Sequence, residues 1–205
     1  MRYFFFRIRK LKSSSDTLST GWLDYSKNAF NEWTPLPPRI NLLVNYVSNQ
    51  IKTKNETILV IGPRFECEIY GYLSCGLKKR QIQAIDTFSY SPLIKTGNMH
   101  KLQDYNLNLV DLVVCGWTLA YSENPHEAVT SMTSILKEGG RAILTWDLES
   151  FVNPLNPADA VLSTVYGKKF TVKELFSKYR ILEIEVSIPI YNPAKQFLKV
   201  MIEKP

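Results

Sequence analysis

The segment Thr57-Ile-Leu-Val-Ile61 is a short, uninterrupted apolar run, and Val110-Asp-Leu-Val-Val-Cys115 is a second run of the same kind. Apolar runs of this length are typical of parallel strands that are buried on both faces of a sheet. Between them lie a helical pattern over 66–75 and a strand pattern over 81–86. This alternation of strand and helix predicts a mostly parallel sheet with helices on both faces.

The alternation continues further along the chain. Pro125 suits the first turn of a helix, the apolar positions of that helix run to Leu136, and Gly139-Gly140 is expected to end it. Arg141-Ala-Ile-Leu-Thr-Trp146 predicts another buried strand. The apolar spacing over 172–179 predicts another helix.

The pattern then changes to one that is typical of antiparallel strands. Apolar residues alternate with polar ones over 182–190 and again over 198–202, and a turn at 191–195 separates the two arms. Pro189 has no backbone N–H to donate, so the first arm is predicted to be an edge strand. The sequence thus predicts an α/β, Rossmann-like doubly wound sheet that is mostly parallel and has an antiparallel C-terminal hairpin strand.

The first part of the chain is predicted to be an appendage. Residues 1–53 are expected to form an N-terminal extension that packs on a core domain over 54–205. Residues 13–20 are polar and typical of a linker, and apolar spacing predicts a helix near 39–53. The basic, aromatic segment 1–12 is expected to be a surface arm or an edge strand, with weak contact to a membrane surface as the alternative.

Composition excludes several classes of protein. The 205 residues are 45% hydrophobic and 21% charged, which is enough apolar material for a core and argues against general disorder. No apolar run approaches the roughly 20 residues of a membrane-spanning helix. The net charge of +6 fits anionic ligands, but the basic residues are scattered and no nucleic-acid motif is present, so no nucleic-acid partner is expected.

The cysteines indicate a reducing compartment. There are three, at positions 67, 75 and 115, and none forms a CxxC pair. This odd number argues against a disulfide framework, and no spacing fits a metal site. We therefore expect a cytoplasmic protein without a bound metal.

Residues 57–147 resemble the class I S-adenosylmethionine-dependent methyltransferases, of the small-molecule, methyltransferase type 11-like kind. Ile58-Leu-Val-Ile-Gly62 is similar to that family's first strand and first glycine. Val110–Trp117 resembles its fourth strand, and Leu136–Leu144 resembles its turn into the fifth. The resemblance implies an antiparallel seventh strand between the fifth and sixth. It also implies S-adenosylmethionine as cofactor, S-adenosylhomocysteine as product, and in-line methyl transfer to a small molecule or sugar hydroxyl.

The resemblance also implies the cofactor-binding residues. Asp86 ends the second strand, where the family's acid binds the ribose hydroxyls, and Thr87 follows it. Gly97-Asn-Met99 is similar to the segment that frames the adenine. Cys115 and Gly116 end the fourth strand, beside the methionine part of the cofactor. A local alternative is a cap or turn role for Asp86 and a turn role for Asn98.

The glycine-rich loop departs from the family pattern. That pattern is roughly acid-x-Gly-x-Gly-x-Gly, whereas this chain has Val60-Ile-Gly-Pro-Arg-Phe-Glu66. A loop that no longer binds the cofactor would leave an inactive binding or scaffold module. The missing GxGxxG also argues against a nicotinamide-dependent oxidoreductase. Arg64 is expected either to pair with the cofactor carboxylate or to pair on the surface with Glu66 or Glu68. The loop residues that we still predict around the cofactor are Gly62, Pro63, Arg64 and Glu66.

Three side chains are candidates for acid–base work on the acceptor. His100 and His126 are the only histidines, and an imidazole titrates near neutral pH. Asp147, at the end of the fifth strand, is a further candidate base or hydroxyl ligand. A structural or surface role is the alternative for each of these three side chains. For Trp117, a predicted wall of the acceptor site, the alternative is core packing. The predicted walls of the acceptor site are Trp117, Tyr121 and Trp146.

Overall fold

The computed structural model describes residues 9–10, 38–63, 66–89, 91–149, 152, 155–188 and 196–204. Several expectations fall outside these residues. They concern the linker over 13–20, the side chain of Arg64, the position of Pro189, and the turn over 191–195.

A seven-stranded sheet forms the centre of the fold. Its strand order is β10-β11-β7-β6-β2-β3-β5, and the five strands on the β5 side run parallel to one another. Short antiparallel pairs, β1 with β4 and β8 with β9, lie beside it. The strands are β1 Arg9–Lys10, β2 Ile58–Ile61, β3 Ile82–Asp86, β4 Phe88–Ser89, β5 Lys95–Thr96, β6 Val110–Gly116, β7 Leu136–Leu148, β8 Val161–Ser163, β9 Lys169–Thr171, β10 Arg180–Ser187 and β11 Gln196–Glu203.

The hairpin prediction is confirmed. β11 pairs antiparallel with both β10 and β7, so it lies between them and leaves β10 at the edge of the sheet. Seven of the eight residues of β11 are buried, whereas β10 alternates between exposed and half-buried positions. The difference follows from position, because an inserted strand is covered on both sides and an edge strand is not.

Four α-helices lie within the described residues: α1 Pro38–Gln50, α2 Glu66–Ser74, α3 Pro125–Ser134 and α4 Val172–Leu175. The first two agree closely with the sequence predictions. None of the described helices is both long enough and apolar enough to cross a bilayer. The helices and the sheet enclose a separate apolar cluster on each face, one built with α1 and α2 and the other with α3.

Two helix predictions are wrong at their ends. The helix that starts at Pro125 ends at Ser134, and Leu136 already belongs to β7, so Gly139-Gly140 does not end it. The reason is that Val110 N–H donates to the Ile135 carbonyl (3.0 Å). This hydrogen bond brings the chain into the sheet at Leu136, the last position of the predicted helix. The helix predicted over 172–179 forms only as the four residues of α4.

The extension contributes a helix to the sheet. α1 packs against α2 and β6 through Leu43, Val44 and Val47, which are buried. Arg141 of β7 is 5% exposed, donates to the Gln50 carbonyl (2.9 Å) and pairs with Glu56 (3.4 Å). These contacts fix the end of α1 to the sheet.

Candidate functional site

Gly62 follows β2 directly and lies at the carboxyl edge of the parallel strands. Its φ of +66° places it in the left-handed region, which glycine adopts without strain. Its N–H donates to the Ile85 carbonyl (2.8 Å), and Thr118 donates its hydroxyl to the Gly62 carbonyl (3.2 Å). A β-carbon at Gly62 would lie 2.3 Å from the Thr118 side chain. The turn after β2 therefore requires glycine and is joined to β3 and to the turn after β6.

Asp86 ends β3 at the same edge of the sheet. Its carboxylate accepts from the Thr87 hydroxyl (3.2 Å) and from Phe88 N–H (3.3 Å), and the residue is partly exposed. These are the local turn contacts that the alternative interpretation expected. They engage one carboxylate oxygen, Oδ1, and they hold the side chain at the strand end.

Asn98 and His100 form a bridge from the turn after β5 to the turn after β6. Asn98 Oδ1 accepts from the backbone N–H of His100 (2.9 Å) and lies 2.7 Å from its Nδ1, while Nε2 lies 2.7 Å from the Ser122 hydroxyl. Because an amide oxygen only accepts, Nδ1 carries the proton. Burial lowers the pKa of His100, so the neutral ring is favoured and Ser122 donates to Nε2.

Helix α2 brings two carboxyl groups to this edge. Glu66 accepts from the Ser91 hydroxyl and from Tyr70 (2.7 Å). Glu68 is 4% exposed and accepts only a weak hydrogen bond from Tyr72 (3.3 Å). Burial raises the pKa of Glu68 to about 7, and the charge of Asp86 adds to that rise. Glu68 was not predicted as a site residue, although an acid beside the inward-facing Ile69 was a signal for one.

Four other residues that were predicted to contact the cofactor lie at this edge of the sheet. Pro63, Met99 and Cys115 are buried, and a β-carbon at Gly116 would lie 2.5 Å from Leu43 of α1. Burial raises the pKa of the Cys115 thiol to about 12, and the charge of Glu68 adds to the rise, so the thiol stays protonated at neutral pH. We call the region around Gly62, Glu68, Asp86, Asn98 and Gly116 the strand-end cleft.

A second feature lies on the α1 side of the sheet. A cavity of about 580 Å³ opens between α1, the end of β7 and the β10–β11 pair. We call it the α1–hairpin cavity. Its apolar lining is Pro38, Leu42, Leu43, Trp117, Ile188 and Phe197. Its polar lining is Asn41, Tyr46, Thr145, Glu185, Ser187 and Lys199.

Ion pairs surround this cavity. Lys199 is 9% exposed, contacts Glu185, lies 3.4 Å from Glu183, and places its Nζ 3.4 Å from the Tyr46 ring centre. The Tyr46 hydroxyl donates to Glu183 (2.6 Å). Burial and this hydrogen bond raise the pKa of Tyr46. The hydroxyl is therefore a fixed donor, and the charges are held in place before any ligand binds.

Trp117 connects the cleft to the cavity. It follows Gly116 directly, has a φ of +59°, and donates its backbone N–H to the Thr145 hydroxyl (3.0 Å). A left-handed conformation is costly for a large side chain. Its ring packs 5.8 Å from Phe197 and lies under Arg39 at 5.3 Å. The indole N–H is buried and has no hydrogen-bond partner among the described residues, which is unusual in a native protein.

The remaining predicted residues divide between the two faces of the sheet. Asp147 lies 4.0 Å from Arg39, so it joins the Trp117 side. Trp146 lies in the opposite apolar cluster, donates to the Ser163 carbonyl (2.9 Å) and stacks edge-on against Phe170. His126 is exposed and also rests near Phe170, with ring centres 6.1 Å apart, and Tyr121 is exposed on a 3₁₀ turn. The structure therefore does not bring the three predicted acceptor walls together.

Comparison with known proteins agrees with this architecture. Residues 73–144, about a third of the chain, match a family model described as a methyltransferase domain. No curated protein matches the chain. Among the described residues no group of three His, Cys, Asp or Glu side chains is arranged to hold a metal ion.

Several solved structures share the fold. The N-methyltransferase NodS from Bradyrhizobium japonicum, in complex with S-adenosylhomocysteine, has a TM-score of 0.60 at 14% identity over 89% of this chain and 97% of its own. A methyltransferase from Aquifex aeolicus gives 0.59 at 14% identity over 89% and 98%. The 1,6-didemethyltoxoflavin N1-methyltransferase from Burkholderia thailandensis gives 0.59 at 10% identity over 91% and 87%.

The family match and the strand order lead to the same assignment. Over residues 73–144 the chain is similar to a methyltransferase domain, and its fold is shared with the S-adenosylmethionine-dependent methyltransferases named above, in agreement with the resemblance seen in its sequence.

Proposed function

We propose that this protein is an S-adenosylmethionine-dependent methyltransferase whose acceptor is a small molecule held in the α1–hairpin cavity. One observation carries the proposal. The strand-end cleft and the cavity adjoin across a single peptide step, from Gly116 in the cleft to Trp117 in the cavity wall. A donor and an acceptor that occupied these two places would meet at the end of β6.

The residues of the cleft fit this cofactor. Asp86 offers carboxylate oxygens at a strand end, where ribose hydroxyls would donate to them. The bridge to His100 holds Asn98 Oδ1 in place, so its NH₂ group is the end that would reach an adenine acceptor. Glu68 adds a buried negative charge near Asp86, which suits a cationic ligand. Gly62 fixes the turn on which these groups depend.

Bound in this cleft, the cofactor would supply an electrophilic methyl group on a sulfonium: the acceptor would take the methyl group, the thioether would leave with the C–S electron pair, and the acceptor proton would pass to a base. The contribution of the chain is positioning and exclusion of water. Apolar walls exclude water from the cavity, and the fixed hydroxyl of Tyr46 and the charge of Lys199 would orient the acceptor.

Of the three candidate bases, Asp147 has the best connection to the cavity. It contacts Arg39, which lies over Trp117, and it is half-exposed, so it can exchange protons with solvent. Both ring nitrogens of His100 take part in the bridge, which favours a positioning role. His126 lies beside Phe170 and would need a different acceptor path. We therefore propose Asp147 as the residue that accepts or orients the acceptor hydroxyl or amine.

The walls favour an acceptor with an apolar ring over a bare sugar. Trp117 and Phe197 present aromatic faces, and the unsatisfied indole N–H would gain a partner from an acceptor oxygen or nitrogen. The complex of the toxoflavin-pathway relative, which holds 1,6-didemethyltoxoflavin and S-adenosylhomocysteine, supports a small-molecule acceptor. Sugar hydroxyls are the second class of acceptor to be tested.

The test has two stages. Calorimetric titration with S-adenosylmethionine and S-adenosylhomocysteine should show micromolar binding. Transfer of a labelled methyl group would then be assayed against a panel of aromatic hydroxyls and amines, with sugars as the second set. Trp117→Ala should weaken turnover of any acceptor found, whereas Leu109→Ala, an exposed change just before β6, should not. Absence of binding to either ligand by folded protein contradicts the proposal.

The altered glycine loop favours one second candidate, a binding module without turnover. Val60 stands where the family has an acid, and Glu66, where the last glycine would lie, is hydrogen-bonded to Ser91 and Tyr70. A protein that binds S-adenosylhomocysteine but transfers no methyl group to any member of the panel would support this second function.

A further inference from the structure

Glu68 is a buried acid that the fold alone does not explain. It lies in the first turn of α2, is 4% exposed, and accepts a hydrogen bond from Tyr72 at 3.3 Å. No lysine, arginine or histidine within the described ranges forms an ion pair with it. Burying a carboxylate without a cation is costly, so a purely structural role would favour a neutral residue at this position.

The neighbours of Glu68 increase this cost. Asp86 of β3 repels it, and the titratable groups that face it from its own helix and from β6 are Tyr72, Cys67 and Cys115. Each of these groups is neutral or negative. Ile69 and Tyr72 of the same helix pack in one apolar cluster with Val114 and Trp117, so the first turn of α2 lies beside the end of β6. The carboxyl group of Glu68 is therefore buried at this edge of the sheet without an ion pair to a cation of the described residues.

The strand before the turn lacks an acid. β2 is Ile-Leu-Val-Ile and is wholly buried, and Val60 occupies the position at which the family pattern has its acid. A carboxyl group nevertheless reaches this edge of the sheet, from α2. Because α2 packs beside the end of β6, this carboxyl group lies on the side where, by the resemblance, the methionine part of the cofactor would be held.

We propose that Glu68 binds the α-ammonium group of the methionine part of the cofactor and replaces the acid that β2 lacks. This inference rests on the proposed function. The ammonium group supplies the missing cation, and its N–H groups satisfy the free carboxylate oxygen.

The proposal predicts a specific dependence on pH. Since the pKa of Glu68 in the free protein is about 7, proton loss must accompany binding of the ammonium group below that pH. Affinity for S-adenosylhomocysteine should therefore rise about tenfold between pH 6 and pH 8. Methylthioadenosine, which has the adenosine and thioether but no ammonium or carboxylate, should bind equally at both pH values.

The deciding experiment compares these two ligands by calorimetry at pH 8 in the full chain, with Glu68→Gln as the variant and Glu138→Gln, an exposed change in β7, as the control. Glu68→Gln should weaken S-adenosylhomocysteine binding about 10- to 100-fold, the range for a lost charged hydrogen bond, and leave methylthioadenosine binding within twofold. Equal weakening of both ligands, or weakening of neither, overturns the role of Glu68.

The outcomes separate this inference from the proposed function. Wild-type protein that binds S-adenosylhomocysteine at the same affinity as Glu68→Gln contradicts only the inference, whereas wild-type protein that binds neither ligand contradicts both. The wild-type pH series needs no variant, so it decides the question even where Glu68→Gln fails to fold. An equal pH dependence for the two ligands overturns the role.

The variant also separates binding from structure. Removal of a buried charge should raise the melting temperature of the ligand-free protein at pH 8, and the same change should lower the shift that S-adenosylhomocysteine produces. A structural role for the carboxylate would instead lower the melting temperature of the ligand-free protein.

Discussion

The strand-end cleft and the α1–hairpin cavity adjoin but are held together differently. In the cleft, the Asp86 carboxylate accepts a hydrogen bond from Phe88 N–H and the Asn98 side chain accepts one from His100 N–H, each from two residues away. In the cavity, the Tyr46 hydroxyl donates a hydrogen bond to Glu183, which is 137 residues away. Local turns therefore position the Asp86 and Asn98 side chains, and the contact of Thr118 with Gly62 adds a long-range constraint on the cleft, whereas packing between distant segments shapes the cavity. The cavity could change through substitutions in α1 or β10 with little effect on the cleft.

The largest expected effect breaks the turn on which the cleft depends. Gly62→Ala forces a left-handed conformation and a collision with Thr118. It should lower the free energy of unfolding by about 3 kcal/mol, measured by urea denaturation.

Gly76→Ala is the matched control for this change. Gly76 also has a positive φ, of +100°, but nothing lies within 4 Å of its missing β-carbon. It should cost about 1 kcal/mol. Equal losses at the two glycines would mean that the Thr118 contact does not constrain the turn.

The second prediction concerns ligand binding in the cleft. Asp86→Asn keeps an oxygen for Phe88 N–H but removes the charge and turns one acceptor into a donor. Affinity for S-adenosylhomocysteine should fall about 10- to 100-fold, measured by calorimetry. The exposed change Asp104→Asn is the control, and unchanged binding in Asp86→Asn would remove Asp86 from the cofactor site.

The third prediction tests the cavity side. Lys199→Met leaves Glu183 and Glu185 without their cation, but both acids are partly exposed. The free energy of unfolding should therefore fall by only about 1 kcal/mol. The exposed change Lys169→Met should have no effect. The loss should shrink in high salt, and a loss that ignores salt would point to packing rather than charge.

The smallest effect concerns the His100 bridge. Burial lowers the pKa of His100, an effect that Glu127 and Glu123 partly oppose. The unfolded chain therefore binds the proton more readily, and stability falls as pH drops below the ordinary histidine value of about 6.5. His100→Gln should remove this fall, which is about 0.5 kcal/mol or less for a half-buried ring.

Denaturation curves collected between pH 5 and pH 7.5 would measure this effect. Glu68 has the opposite trend, because its raised pKa favours the folded state at low pH, but that contribution is common to both proteins. Parallel pH profiles for wild type and His100→Gln would show that the pKa of His100 is the same in the folded and unfolded chain, which contradicts the expected effect of burial.

The same contrast explains what the sequence could predict. Asp86, Asn98 and Gly62 could be placed at the carboxyl edge of the sheet from sequence because each sits at a fixed offset from a strand or a turn. The hairpin and its edge strand were confirmed because alternation and Pro189 are local signals. The similarity to a methyltransferase domain over residues 73–144 was predicted for the same reason.

The cavity was not predicted, because its walls come from α1, the end of β7 and the hairpin, and no local pattern relates them. Trp117 and Trp146 were grouped as walls, yet they belong to different faces of the sheet. Glu68 was given only a surface role, since its burial depends on how α2 packs on β3 and β6. The early end of α3 reflects a hydrogen bond between Val110 and Ile135, which are distant in sequence.

The position of β11 between β7 and β10 has a consequence for how the chain reaches its native state. Until residues 196–203 are available, one long side of β7 has no partner, and that side carries the buried run from Ala142 to Trp146. An unpaired apolar edge can join another chain. Insertion of β11 therefore closes an edge of the sheet that would otherwise be adhesive, and a change that hinders this insertion should favour association between chains.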